Sequence, residues 1–405
     1  MVRESLTFFG AITPNVPARL VRTDPPGNNA RMSPRSSAGL ALALVAVASS
    51  TASADRLLLV PDTLADKVWA FSAVDGSLVS DNYIPNDGIM RQVRSIAQLP
   101  NGNLIMAEPG TSLGCSTIDG VLEYSRCGTF LRRIAGQDDG ICDAQQVWVL
   151  GDSVWFTRSD DVQNSDGGAN AIWRMALDGS GLTEVARPAS FRRIWGFAPV
   201  AGGFIVANGA SSITTTLDFV STDGQATSVW HDPAATISGV LFAQQVSPMP
   251  GGGVVVATFS GDYGLYFFDA NGNPAPGVPF YYKPLGPTLT GISPRGVYPL
   301  ENGNVLYAGG TVVGVVNLAM QEEVVIVNSV SATGAARGSF HWITPIDTDL
   351  GCAADLDCSG TVDGADLGLL LGGWGAPGPA DLNADGVVDG TDLGVLLGAW
   401  ANCGA

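Results

Sequence analysis

The sequence predicts an all-β six-bladed propeller followed by a small all-α C-terminal domain. Three observations predict it. A two-stranded element recurs at about fifty residues, the range where propellers are expected. Its last copy is divided between the two ends of the repeat region, and the final stretch writes one loop–helix sentence twice.

The chain opens with residues 1–31, polar and proline-containing, which read as a non-native extension ahead of a true start at Met32. Residues 32–54 combine a basic flank, a short apolar run and the small-x-small triplet Ala52-Ser53-Ala54. That is the pattern of a secretory signal, with a mature N-terminus near Asp55. No later apolar run is long enough to cross a bilayer. The expected location is therefore extracellular or at the cell surface, with no transmembrane segment after signal removal. The net charge of −18 excludes nucleic acid and anionic membranes as natural partners.

Residues 55–346 hold the propeller. Its first element is an apolar strand, a tight polar turn and a second apolar strand. It reads IAQLPNGNLIMA from Ile96, VWVLGDSVWFT from Val147, FAPVAGGFIVA from Phe197, VSPMPGGGVVVA from Val246 and VYPLENGNVLYA from Val297. A sixth copy is split: HWITPI at His341 supplies the first strand and RLLLV at Arg56 the second. Joining the chain ends in one blade removes the sheet edges that would otherwise pair with other chains. The second element is a hairpin with a glycine-containing turn: VWAFSAVDGSL, VLEYSRCGTF, IWRMALDGSGL, TLDFVSTDGQA, LYFFDANGN and VVIVNSVSATG. At the level of the repeat, these blades resemble the NHL and YVTN-like group of extracellular propellers.

The first strand of each blade lines a propeller's channel, and ligands bind where those strands begin. Aligning the copies puts Arg94, Gln145, Trp195, Gln244, Arg295 and His341 at that level. Arg forks pair carboxylates and Trp stacks on apolar sugar faces, so the ring suits an anionic or hydroxyl-rich ligand such as a uronic acid or other glycan. The segments 108–120, 158–170 and 309–323 read as longer loops on the same face, carrying Asp160-Asp161 and Glu322-Glu323. Paired acids serve glycosidases, although adjacent loop acids are commonly just solvated. His231-Asp232 reads as a surface pair, since no GxSxG, HExxH, P-loop or dinucleotide fingerprint accompanies it. The catalytic residues are unknown. If the chain is an enzyme, it is a hydrolase or lyase acting on O-glycosyl bonds at the channel mouth.

After a linker at 347–351, the tail at 352–403 runs ADLDCSGTVDGADLGLLLGGW and then ADLNADGVVDGTDLGVLLGAW. Each copy alternates acids and small polar residues, has glycine at the sixth position and ends on an acid at the twelfth. That is the oxygen-ligand spacing of an EF-hand-type loop. The expected calcium ligands are Asp355, Asp357, Ser359, the Thr361 carbonyl, Asp363 and Asp366 in one loop. In the other they are Asp381, Asn383, Asp385, the Val387 carbonyl, Asp389 and Asp392. No helix enters either loop, but one leaves each, with Leu367, Leu370, Leu371 and Trp374, then Leu393, Leu396, Leu397 and Trp400, spaced along one face. The paired loop–helix pattern resembles the type I dockerin. That resemblance implies two Ca2+ sites and a cohesin-type or cell-surface protein partner, in the setting of polysaccharide breakdown. It also implies partner-selecting residues at Gly364, Ala365, Gly390 and Thr391. These are not the Ser-Thr pair common in cellulosomal dockerins. Cys352 and Cys403 bracket the tail and are expected to staple it, and one bond is expected among Cys115, Cys127 and Cys142.

Overall fold

In the computed structural model the strands gather into six four-stranded antiparallel sheets. Residues 56–401 are described, apart from 110–119, 160–169, 211–212, 237, 288–290, 332, 349–352, 358–360, 379 and 384. The expected extension, the signal and Asp55 lie outside them. The closing blade orders its strands β24 (Thr344–Asp347), β1 (Arg56–Asp62), β2 (Lys67–Ser72) and β3 (Leu78–Ile84). Leu57 pairs with Ile346 and Leu59 with Thr344, so the split copy closes the ring as expected. Asp347 belongs to β24 rather than to the linker. It receives an ion pair from Arg56 Nε at 2.8 Å, and its backbone exchanges two hydrogen bonds with the Gln98 side chain.

The second to sixth blades follow in chain order: β4 (Ser95–Gln98) to β7 (Phe130–Gly136), β8 (Ala144–Leu150) to β11 (Thr183–Ala186), β12 (Ile194–Val200) to β15 (Thr227–His231), β16 (Val240–Pro248) to β19 (Tyr281–Tyr282), and β20 (Gly296–Pro299) to β23 (Glu322–Asn328). Inner and middle strands are buried on both faces, which is why they read as apolar runs rather than alternations. The core therefore lies between blades: Leu59, Val68 and Ala70 of the closing blade pack with Ile96, Leu104, Met106 and Tyr124 of the second. Outer strands such as LVSDNYI and FLRRIAG are polar and exposed, which keeps the blade edges from recruiting other strands.

The last blade corrects two expectations. Its hairpin is β22 (Val312–Asn317) turning into β23, so VVIVNSVSATG supplies the outer strand and not the hairpin's start. The segment 309–323 is consequently not a long loop, and Glu322 and Glu323 begin the outer strand. Glu323 is committed to structure, accepting from the Leu285 and Gly286 amides and from the Tyr307 hydroxyl. Gly314 hid the strand: a side chain there would meet the Tyr307 ring at 2.7 Å, so glycine marks close packing rather than a turn.

The tail folds as two helices, α2 (Gly364–Gly372) and α3 (Gly390–Gly398), later in the chain than the single turn α1 (Pro233–Thr236). Its small core is Ala354, Val362, Leu370, Ala380, Val388 and Leu396, flanked by Leu367 and Leu393. Here the expected apolar face needs correction: Leu371, Trp374, Leu397 and Trp400 are exposed. Two short helices offer one another a single narrow face. Val362 and Val388 from the loops fill it, leaving the later members of each stripe outside.

Candidate functional site

The six ring residues do gather where the inner strands begin, and the backbone device that gathers them was invisible in the sequence. In β8, β12 and β16 the pairing slips between Ala144 and Val147, Ile194 and Phe197, and Ala243 and Val246. Gln145, Trp195 and Gln244 sit inside these bulges, which re-aim side chains. Arg94, Arg295 and His341 stand just ahead of β4, β20 and β24. Three non-glycine residues hold left-handed backbone two positions before a ring residue: Gln92 (φ 53°), Asp143 (φ 51°) and Phe242 (φ 51°). Such strain costs about 1–3 kcal/mol per residue and concentrates at functional sites.

Directly beneath the ring, the freed amides are tied by neighbouring blades. Ser95 Oγ accepts from the Val147 amide, Gln146 Oε1 from Phe197, and Gln245 Oε1 from both Val297 and Ile343. Gln245 Nε2 also donates to the Ile343 carbonyl at 2.7 Å. Gly196 and Gly296 complete this layer because a Cβ there would lie 2.1 Å from the Gln244 carbonyl oxygen and 2.3 Å from that of His341. This stitched layer forms a floor, and the ring lies above it.

In the ring, Arg94 donates to Gln145 Oε1 at 2.6 Å and stacks 4.6 Å from the Trp195 ring centroid. Arg193, which the repeat alignment missed, lies 5.8 Å from the same centroid. Arg295 stacks 4.2 Å from Phe259. Edge-to-face contacts join Trp195 to Phe242 and Phe242 to Phe259, so an aromatic belt runs from the ring under Arg94 to the ring under Arg295. Adjacent Arg192-Arg193 in so acidic a chain was a usable signal; nothing in the repeat pointed to the two phenylalanines. Burial, reinforced by the Arg295 charge, lowers the Arg94 pKa to about 10. Burial, then the Arg295 and Arg94 charges, hold His341 well below its ordinary value, keeping its imidazole neutral. Gln244 Oε1 and Nε2, His341 Nδ1 and Trp195 Nε1 are buried without a hydrogen-bond partner among the described residues.

His231, expected at the surface, is instead buried. Its Nε2 lies 2.8 Å from Ser238 Oγ and its ring packs on Phe268. Asp232 does not orient the imidazole; its carboxylate accepts from the Ala234 amide to start α1. Asp160-Asp161 lie outside the described residues.

In the tail, ligand oxygens of Asp355, Asp357 and Asp366 lie within 4.8 Å of one another, a donor set that fits a hard divalent cation. Asp366 accepts from the Asp357 and Asp363 amides. Its counterpart Asp392 accepts from Leu382, Asn383 and Asp389, which holds its carboxyl below the usual range. Asp381 accepts from the Asp385 and Gly386 amides, drawing the second loop closed. Asp363 and Asp389 cap α2 and α3. Ser359 lies outside the described residues, while Thr361 and Val387 are exposed in their loops. Gly364, Ala365, Gly390 and Thr391 are exposed together at the two helix starts. The tail rests on the second blade, where Arg126 donates to the Asp355 carbonyl. A cleft of about 330 Å³ there is lined by Gln98, Arg126, Cys127, Ala353, Asp355 and Asp381. Cys127 and Cys142 are both disulfide-bonded. The seven-residue β7 lies between them, and at about 3.4 Å per residue it holds them too far apart to bond each other. Cys115, Cys352, Cys358 and Cys403 lie outside the described residues.

No family model matches the chain, and no curated protein matches it. Among solved structures, one titled as the crystal structure of a nidogen/laminin complex matches with a TM-score of 0.54 at 12% identity, covering 72% of this chain and 98% of that one. At that identity the likeness speaks to fold alone, and with the sheet topology it establishes a six-bladed β-propeller.

Proposed function

We propose that this chain is an exported calcium-binding protein. Its dockerin-like tail docks onto a cohesin-type or cell-surface protein, and its propeller holds a ligand, a glycan in the setting of extracellular polysaccharide breakdown. The observation that carries the reading is the convergence of Asp355, Asp357 and Asp366 in a loop whose twin repeats the same backbone bonds around Asp392. Calcium would supply the charge that draws each acid-lined loop shut, and the chain's own part is to point alternate oxygens inward and to start a helix from a cap at the ninth position. Binding rather than hydrolysis is the better reading of the propeller. Glu322 and Glu323, the described acids proposed as a catalytic pair, lie on an outer strand.

Isothermal titration of the full chain with CaCl2 tests this. Uptake of two ions is expected, with Asp366→Asn and Asp392→Asn each removing one. Absence of calcium uptake would overturn the docking role.

A further inference from the structure

Among the described residues, Arg94 and Arg295 of the channel ring carry positive charge that nearby carboxylates do not pair. Arg94 and Arg295 have no carboxylate within ion-pair distance among the described residues, although the chain has 38 acidic and 20 basic residues. Among the described residues, Asp143 is the one acid that acts on Arg94, while Arg295 and Arg193 both oppose its charge. Burying like charges this way is unfavourable unless an anion joins them. The unpartnered atoms define that anion further. Trp195 Nε1 and Gln244 Nε2 are donors, as are the guanidinium groups of Arg94 and Arg295, and they match an oxyanion. Gln244 Oε1 is an acceptor, and Gln244 is fully buried. A neutral His341 also offers one acceptor nitrogen. A sulfate or a bare carboxylate has no proton to give these acceptors, whereas a hydroxyl does.

We infer that the channel mouth binds a sugar acid: a carboxylate set between Arg94 and Arg295, with hydroxyls on the same molecule donating to Gln244 Oε1 and the His341 ring. The aromatic belt of Trp195, Phe242 and Phe259 forms the apolar wall on which such a ring would rest. This rests on the reading of the propeller as the ligand-holding half of the protein and narrows its ligand class. The carboxylate can belong to a free monosaccharide or to the end of an acidic glycan.

The test is calorimetric titration and thermal shift of the full chain with D-glucuronate and D-galacturonate, against glucose, galactose, acetate and sulfate. An acidic di- or trisaccharide serves as the second arm. At least one sugar acid is expected to bind and raise the melting temperature, with the neutral sugars and simple anions weaker by about tenfold or more, the usual weight of a charge-assisted bond or an orphaned buried acceptor. Tighter binding of the oligosaccharide than of the monosaccharide would identify a glycan end as the source, and the reverse a free acid. Arg295→Gln and Gln244→Met are each expected to weaken binding about tenfold, the second without loss of melting temperature, which separates binding from folding. Equal affinity for a sugar acid and its neutral parent would overturn this inference while leaving a glycan-binding propeller. Equal response to sulfate, or unchanged affinity in Gln244→Met, would also overturn it. No binding by any probe would remove both it and the ligand-holding reading.

Discussion

Adjacent residues Gln244 and Gln245 sit at the same depth yet should respond oppositely to the same substitution. Methionine keeps the volume of glutamine while removing its amide. The Gln245 side chain ties two blades: it accepts from the Val297 and Ile343 amides at 3.0 and 2.9 Å and donates to the Ile343 carbonyl at 2.7 Å. Gln245→Met therefore strands two backbone amides in a site that is 1% exposed. At about 1–3 kcal/mol per orphaned group, the loss should be about 4 kcal/mol. Gln244 has neither polar atom partnered, so Gln244→Met removes two unsatisfied atoms and should leave stability unchanged or raise it by up to about 2 kcal/mol. The assay is urea unfolding in saturating calcium, followed by tryptophan fluorescence, comparing midpoints at equal slope. Equal losses in the two variants would refute the assignment of the lower layer as the floor that stitches the blades.

Four further outcomes are expected. His341 and His231 are both held below an ordinary value near 6.5, mainly by burial. Between that value and their lower folded values the unfolded chain binds more protons. Stability should thus fall as pH drops below about 6.5, with a limiting slope of about 1.4 kcal/mol per pH unit per histidine, and His341→Gln should flatten the slope seen in denaturant titrations across pH 5–7. Gly196→Ala drives a Cβ to 2.1 Å from the Gln244 carbonyl and should cost about 2–3 kcal/mol in the same unfolding assay. Asp392→Ala strips the acceptor from three loop amides, so α3 should lose its helical signal by circular dichroism even in excess calcium, with the propeller's β signal retained. Cys127 and Cys142 are each disulfide-bonded, and β7 between them keeps them from bonding each other, so peptide mapping without reductant should recover them in two different bonds.

Much of this protein was legible as periodicity. Strand, turn and strand at a fixed interval can be read along one dimension, and so can a copy broken across the chain ends. Oxygen ligands at alternate positions before a helix are equally local, since neighbours in sequence make the tail's loops. The readings that failed depended on which neighbour a residue meets. VVGVVN looked like loop because Gly314 marks contact with Tyr307 and not a turn. His231 looked exposed because Phe268, whose ring packs against it, arrives from the next blade of the chain. Leu371 and Trp374 kept helical spacing but found no partner on a two-helix module.

By itself the sequence determined the repeat, the closure and the acid-lined turns, because each is written in short-range spacing. Only the tertiary structure decided that three bulges and three left-handed residues set Arg94, Gln145, Trp195 and Gln244 at the channel mouth that Arg295 and His341 share, with Arg193 beside Trp195. A slipped pairing is a property of two strands together, and the concentration of charge at a channel mouth exists only once six blades have met.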